Sequence, residues 1–167
     1  YPGNFPDLRS GLLQALQAII DDLCRIETYL DFIAITGDLS EDGKLDSYQG
    51  LQDMLSVLRI PVLVIPGNHD SREAFRKVFP PPANQHNADL LDYYVDTADA
   101  RIIGIDSVDS GKVTGKLTQA QLSWLETTLS AVHDPRQTIV MIHHPPFSTG
   151  LSMYDALSNL PLAAELA

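Results

Sequence analysis

The chain has 167 residues, 44% of them apolar and 20% charged, with a formal net charge of −11. That length predicts one domain with a sizeable core, and the acidic balance excludes a broad phosphate-binding surface for DNA or RNA. The lone Cys24 excludes a disulfide framework and a cysteine-built zinc site, while the lack of a membrane-length apolar run and of a signal-peptide pattern makes a cytoplasmic place the expectation.

Ser10 to Glu27 sets Leu12, Leu13, Leu16, Ile19, Ile20 and Leu23 at helical spacing. Asp31 to Thr36, DFIAIT, is a short β-prone run that stops at Gly37-Asp38. Asp46 to Leu58 reads as a helix with Leu51, Met54, Leu55 and Leu58 as its stripe. In IPVLVIPGNHD, the apolar strand from Val62 to Pro66 ends abruptly in Asn68-His69-Asp70, and a short helix follows near Ser71 to Val78. Pro80-Pro81-Pro82 closes that helix and opens a polar loop through Asn87. Leu91 to Thr97 and Arg101 to Asp106 form a hairpin across Ala98-Asp99-Ala100. Thr118 and Gln121 have the spacing of a capping box for a helix containing Leu122, Leu125 and Leu129. Gln137 to Ile142 is a strand ending in His143-His144-Pro145-Pro146, and Leu151 to Ala167 is weakly helical. Strands and helices alternate and the strands are mostly continuous apolar runs, so the class is α/β with helix-covered sheets, at least one of them mixed.

Three strands therefore finish in metal-competent groups: Asp38, then Asn68-His69-Asp70, then His143-His144. Each alone is compatible with an Asx turn, a helix cap or a surface loop. Together they fit one mixed oxygen and nitrogen site beyond the carboxyl ends of the strands. A calcium loop is the competing reading of Asp38-Leu39-Ser40-Glu41-Asp42-Gly43, and it fails twice. Gln49 stands where that loop needs a bidentate Glu, and a strand rather than a helix precedes it.

TGDLSEDG (36–43), PGNHD (66–70) and MIHHPPF (141–147), in this order, resemble the calcineurin-like metallophosphoesterase superfamily, nearest to its class III cyclic-nucleotide phosphodiesterase and glycerophosphodiesterase group. GKLTQAQLSWLETTL (115–129) is similar to a segment that group carries between the same motifs. The resemblance covers essentially the whole chain. It implies an α/β/β/α sandwich of two packed mixed sheets, with two metal ions, manganese, iron, zinc or cobalt, at the sheet edge. On that pattern Asp38 bridges both ions, and Asn68 and His143 ligate the second. His69 meets the phosphate and Asp70 orients His69. Glu41 and Asp42 lie near the site without being ligands. The implied reaction is hydrolysis of a small phosphodiester, a 3′,5′-cyclic nucleotide such as cyclic AMP in first place and a glycerophosphodiester as the alternative. Two cations roughly 3.5–4 Å apart suit this chemistry, because they neutralise the anionic diester and lower the pKa of a bound water. Lower-ranked substrate contacts are His69, His144, the loop Pro80 to Asn87 with His86, and Phe147 to Asp155 with Met153. The same family frequently self-associates, so a homo-oligomer is compatible with the resemblance; neither a nucleic-acid polymer nor a membrane is expected as a partner.

Two family motifs are absent: D-x-H before the first strand and G-H-x-H after the last segment. The expectation is a single domain over residues 1–167, truncated at both ends, holding at most one ion well and catalytically impaired as written. A degenerate binding module, or ligands donated by another chain, are the competing explanations.

Overall fold

The structure is a computed structural model that describes residues 8–82, 84–131, 137–148, 150 and 155. Apart from Asp155, the expected helix at Leu151 to Ala167, Met153 included, lies outside the described residues. Helix α1 runs Leu8–Ile26 and passes through a 3₁₀ turn, Glu27–Tyr29, into strand β1, Ile33–Ile35. Helix α2, Leu45–Leu55, leads to β2, Val62–Val64, and α3, Arg72–Val78. The hairpin is β3, Tyr93–Asp96, and β4, Ala100–Ile105; α4, Gln119–Ser130, then returns the chain to β5, Gln137–Ile142. The other expected elements are present; most have ends drawn in by a few residues, while α1 begins at Leu8, ahead of Ser10, and β5 keeps its expected bounds. No described helix is long and apolar enough to cross a membrane.

The described strands form two sheets. β1 and β2 are a parallel pair with Ile33 opposite Val62 and Ile35 opposite Val64. In the second sheet β4 lies between β3, antiparallel, and β5, parallel, so this sheet is mixed. Residue alternation along β4 settles how the layers stack. Ile102 points at Leu63, Ile65, Tyr93 and Met141, which seals the two sheets together. Ile103 and Ile105 point the other way, onto Leu117, Leu122 and Leu125 beside α4. Val64, on the opposite face of β2 from Leu63, packs on Tyr48, Phe75 and Val78 of α2 and α3. The order is helix, sheet, sheet, helix. Gly104 is required at the seam, since a Cβ there would stand 2.8 Å from Ile65 Cγ2 and from the Tyr93 ring.

Local chemistry sets the helix ends. Thr118 Oγ1 accepts from the Gln121 amide at 3.2 Å and Gln121 Oε1 accepts from the Thr118 amide at 3.0 Å, the reciprocal capping box expected for α4. Helix α1 differs from expectation. Ile20 is buried with Leu16 and Leu23 partly covered, whereas Leu12, Leu13 and Ile19 are exposed. The six share one face of the helix, but only its part around Ile20, Leu16 and Leu23 is covered. Along β5, Ile139 and Val140 are likewise exposed at the edge of the second sheet.

Candidate metal centre

The parallel strands β1 and β2 end side by side, and so do the loops that follow them. Two backbone features bring these loops within reach of β5. Gly37 has φ +110° and Asp38 φ +54°, so the chain reverses through the left-handed region twice in succession. A Cβ on Gly37 would lie 2.4 Å from His143 Nδ1, and one on Gly67 2.2 Å from Asp38 Oδ1 and 2.8 Å from His143 Cε1. Both glycines are there because side chains of the site occupy the space.

Asp38, Asn68 and His143 meet at this point. His143 Nδ1 is 2.9 Å from the Thr36 carbonyl, and its Nε2 is 3.2 Å from Asn68 Oδ1 and 3.5 Å from Asp38 Oδ2. A carbonyl can only accept, so in the neutral ring Nδ1 carries the proton and Nε2 presents a lone pair. An imidazole nitrogen, an amide oxygen and a carboxylate oxygen then face one another with no proton between them. This donor set fits a hard or borderline cation. The other carboxylate oxygen, Asp38 Oδ1, accepts from the His69 amide at 3.1 Å, which holds the side chain in place. Among the described residues no group of three His, Cys, Asp or Glu side chains gathers elsewhere or here; the third donor in this cluster is the Asn68 amide.

His69 sits at the rim with its side chain 41% exposed, and the acid beside it is Glu41, 3.5 Å from Nδ1. The role expected for Asp70, orienting His69, is not what the geometry provides. Asp70 is buried and accepts from the amides of Leu39, Ser40 and Gly67 at 3.2, 3.1 and 2.8 Å, and from the Tyr48 hydroxyl at 2.9 Å. Its carboxylate therefore laces the Asp38 loop to the Asn68 loop. Asp42 is likewise committed to its own loop. It accepts from Lys44 Nζ and amide, Ser47 and Ser40, and these donors, Lys44 foremost, hold its carboxyl far below the usual range. That use of Asp42 agrees with rejecting a calcium loop.

His144 is 1% exposed. Its Nδ1 is 2.7 Å from Ser107 Oγ and its Nε2 3.1 Å from the Val113 carbonyl, and burial pushes its pKa down. Both ring nitrogens are taken, which argues for a supporting place rather than the substrate contact expected for it. His86 stacks on Trp124 at 5.0 Å and faces Asp92, away from the cluster. Pro80, Pro81 and Pro82 line a cavity with Gln52, Phe75, Val78 and Leu91 beside β2 rather than the Asp38 site. Sequence reasoning missed Tyr48, although its spacing from Leu51 and Leu55 places it on the α2 stripe. It also missed Arg72, Asp106 and Ser107, whose partners are distant in sequence and carry no local signal.

Residues 5–164 match the family described as calcineurin-like phosphoesterase. A glycerophosphodiester phosphodiesterase, GpdQ, of Enterobacter lignolyticus is 33% identical over 149 residues, covering 88% of this chain and 51% of the relative. A probable cyclic nucleotide phosphodiesterase of Rhodopseudomonas palustris is 33% identical over 146 residues, covering 86% and 53%. The 3′,5′-cyclic adenosine monophosphate phosphodiesterase CpdA of Pseudomonas aeruginosa is 31% identical over 143 residues, covering 86% and 50%. The chain thus spans about half the length of the relatives it matches. With a helix–sheet–sheet–helix sandwich and a donor cluster at the ends of β1, β2 and β5, the chain belongs to the calcineurin-like phosphoesterase family.

Proposed function

We propose that this chain carries the central motifs of a metal-dependent hydrolase of small phosphodiesters, with a 3′,5′-cyclic nucleotide such as cyclic AMP as the first-ranked substrate. The observation that carries the reading is the approach of His143 Nε2 to Asn68 Oδ1 and Asp38 Oδ2. These three residues would hold a divalent cation such as manganese, iron, zinc or cobalt. Cations bound there would neutralise phosphoryl charge and make water nucleophilic near neutral pH. Asn68 adds an oxygen ligand without cancelling cation charge, and the Thr36 carbonyl keeps His143 in the ligating tautomer. His69, partly exposed beside the cluster, would donate to a phosphoryl or leaving oxygen. Its companion is Glu41; Asp70 acts from below by fixing both loops.

The family's D-x-H and G-H-x-H motifs are absent from these 167 residues. The proposal therefore assigns a two-ion site to the complete domain and at most one well-held ion to this stretch. A glycerophosphodiester is the second reading, supported by the likeness to GpdQ at the same level of identity as to the cyclic nucleotide enzymes. Hydrolysis of cyclic AMP and of glycerophosphoethanolamine, each at saturating manganese, separates the two. A protein extended at both ends that binds metal yet cleaves neither, nor bis(p-nitrophenyl) phosphate, sinks the hydrolase reading and leaves a metal-binding module.

A further inference from the structure

Asn68 stands at the end of the first sheet and His143 at the end of the second, so their 3.2 Å separation depends on how the two sheets sit against each other. Asp70 and Tyr48 tie the Asn68 loop to the first sheet and to α2. The tie to the second sheet comes from Arg72, the first residue of α3. Its Nε is 2.6 Å from Asp106 Oδ2 and its Nη2 2.9 Å from Asp106 Oδ1, with Nη2 also donating to the Val108 carbonyl. Asp106 follows β4 directly and is fully buried, and its two oxygens also accept from the Leu91 and Val108 amides.

We propose that Arg72 is a positioning residue whose two-pronged pairing with Asp106 sets the Asn68–His69 loop against the sheet that carries His143. A buried ion pair is weak evidence for stability, since well-packed apolar residues do as well or better. What the planar guanidinium supplies is direction: it meets both carboxylate oxygens as a fork while Nη2 also reaches a carbonyl, an arrangement a lysine cannot reproduce. Arg72 lies only four residues beyond Asn68 and enters α3 from the same turn, so a rotation of its anchor is passed to that loop without slack. The inference rests on the metal-site reading above for its functional consequence, and its local mechanical part can be read without metal.

The test uses Arg72→Lys and Asp106→Asn in these 167 residues for exchange, and in the protein extended at both ends for turnover. Amide hydrogen exchange of the metal-free protein should speed at least tenfold at Gly67 and His69 while α4 amides keep their wild-type rates, an opening confined to one loop. In the manganese-loaded protein extended at both ends, kcat for bis(p-nitrophenyl) phosphate should fall roughly 10–100-fold at similar KM, the size expected for a residue that orients ligands. The cobalt-loaded protein should show an altered visible spectrum. Wild-type exchange at Gly67 and His69 in both variants overturns the proposal. So does acceleration that includes α4 equally, which would mark a purely structural pair. A wild-type protein extended at both ends that has no diesterase activity would defeat the proposed function instead, and the metal-free exchange would still decide the role of Arg72.

Discussion

The Tyr48 hydroxyl donates to Asp70 Oδ1 at 2.9 Å and accepts from the Ser71 amide at 2.9 Å, so one buried phenol holds both sides of the turn after Asn68-His69. Burial, together with the Asp70 carboxylate, pushes the Tyr48 pKa up, which keeps it a donor at any working pH. Tyr48→Phe removes the donor to a buried carboxylate and orphans the Ser71 amide. The expected cost is about 1–3 kcal/mol by denaturant titration, with the fold retained because three backbone amides still hold Asp70. A loss below a few tenths of a kcal/mol would show that water replaces the hydroxyl.

Gly67 and Gly50 make a matched pair of opposite sign. A Cβ on Gly67 would collide with Asp38 Oδ1 and the Asp38 amide at 2.2 and 2.5 Å, so Gly67→Ala must push the Asp38 loop off its place. Overpacking of this kind costs about 1–3 kcal/mol. Gly50 lies inside α2 with nothing within 4 Å of its Cβ position. Gly50→Ala should stabilise by about 0.5–1 kcal/mol through helix propensity. Thermal melts of the two variants check both signs.

The strand ends were legible because each apolar run stops at residues that disfavour a strand: Gly37-Asp38, Pro66-Gly67-Asn68 and the Pro145-Pro146 that follows His143-His144. Where the side chains go beyond that point was less legible. Asp70 finds its partners 30 and 31 residues back at Ser40 and Leu39, and Arg72 finds Asp106 34 residues ahead. Pairings at that separation exist only once the two sheets have packed. His143 and His144 are a different case. Neighbours at the end of a strand face opposite ways, so one histidine turning to the cluster implied that the other would turn inward, as it does against Ser107. The arc of α1 misled for a plainer reason, since helical spacing shows which residues share a face and not how much of it is covered.

Asp92 gives a pH dependence with a fixed sign. Burial raises its pKa above the ordinary 3.8, partly countered by donation from the Asp106 amide, Gln121 and His86. A carboxyl raised in the fold contributes stability below its unfolded pKa, and that contribution is lost as pH rises through the folded value. Asp92→Asn keeps the oxygen that accepts from Gln121 and the Asp106 amide, and it can donate to a neutral His86. The difference in melting temperature, variant minus wild type, should therefore grow as pH climbs from 3.8 and level off above the folded pKa. At about pH 7.5 the variant should be at least as stable as wild type. A difference that shrinks with rising pH would mean that a charged Asp92 is favoured by His86 after all.

Metal removal tests the donor cluster without reference to turnover. A ligand that binds only the folded state stabilises it by about 2.7 kcal/mol at a concentration one hundred times its Kd. Manganese should thus raise the melting temperature of the wild-type protein, and a chelator should reverse the rise. His143→Ala removes the imidazole that the Thr36 carbonyl orients, and Asn68→Ala removes the amide oxygen 3.2 Å from it. Each variant should lose most of the manganese-dependent rise. Glu41→Gln changes the acid beside His69 without touching the three donors, so it should keep the rise in full. If Glu41→Gln abolishes the shift while His143→Ala preserves it, the cation sits on the Glu41 side and the assignment of Asp38, Asn68 and His143 is wrong.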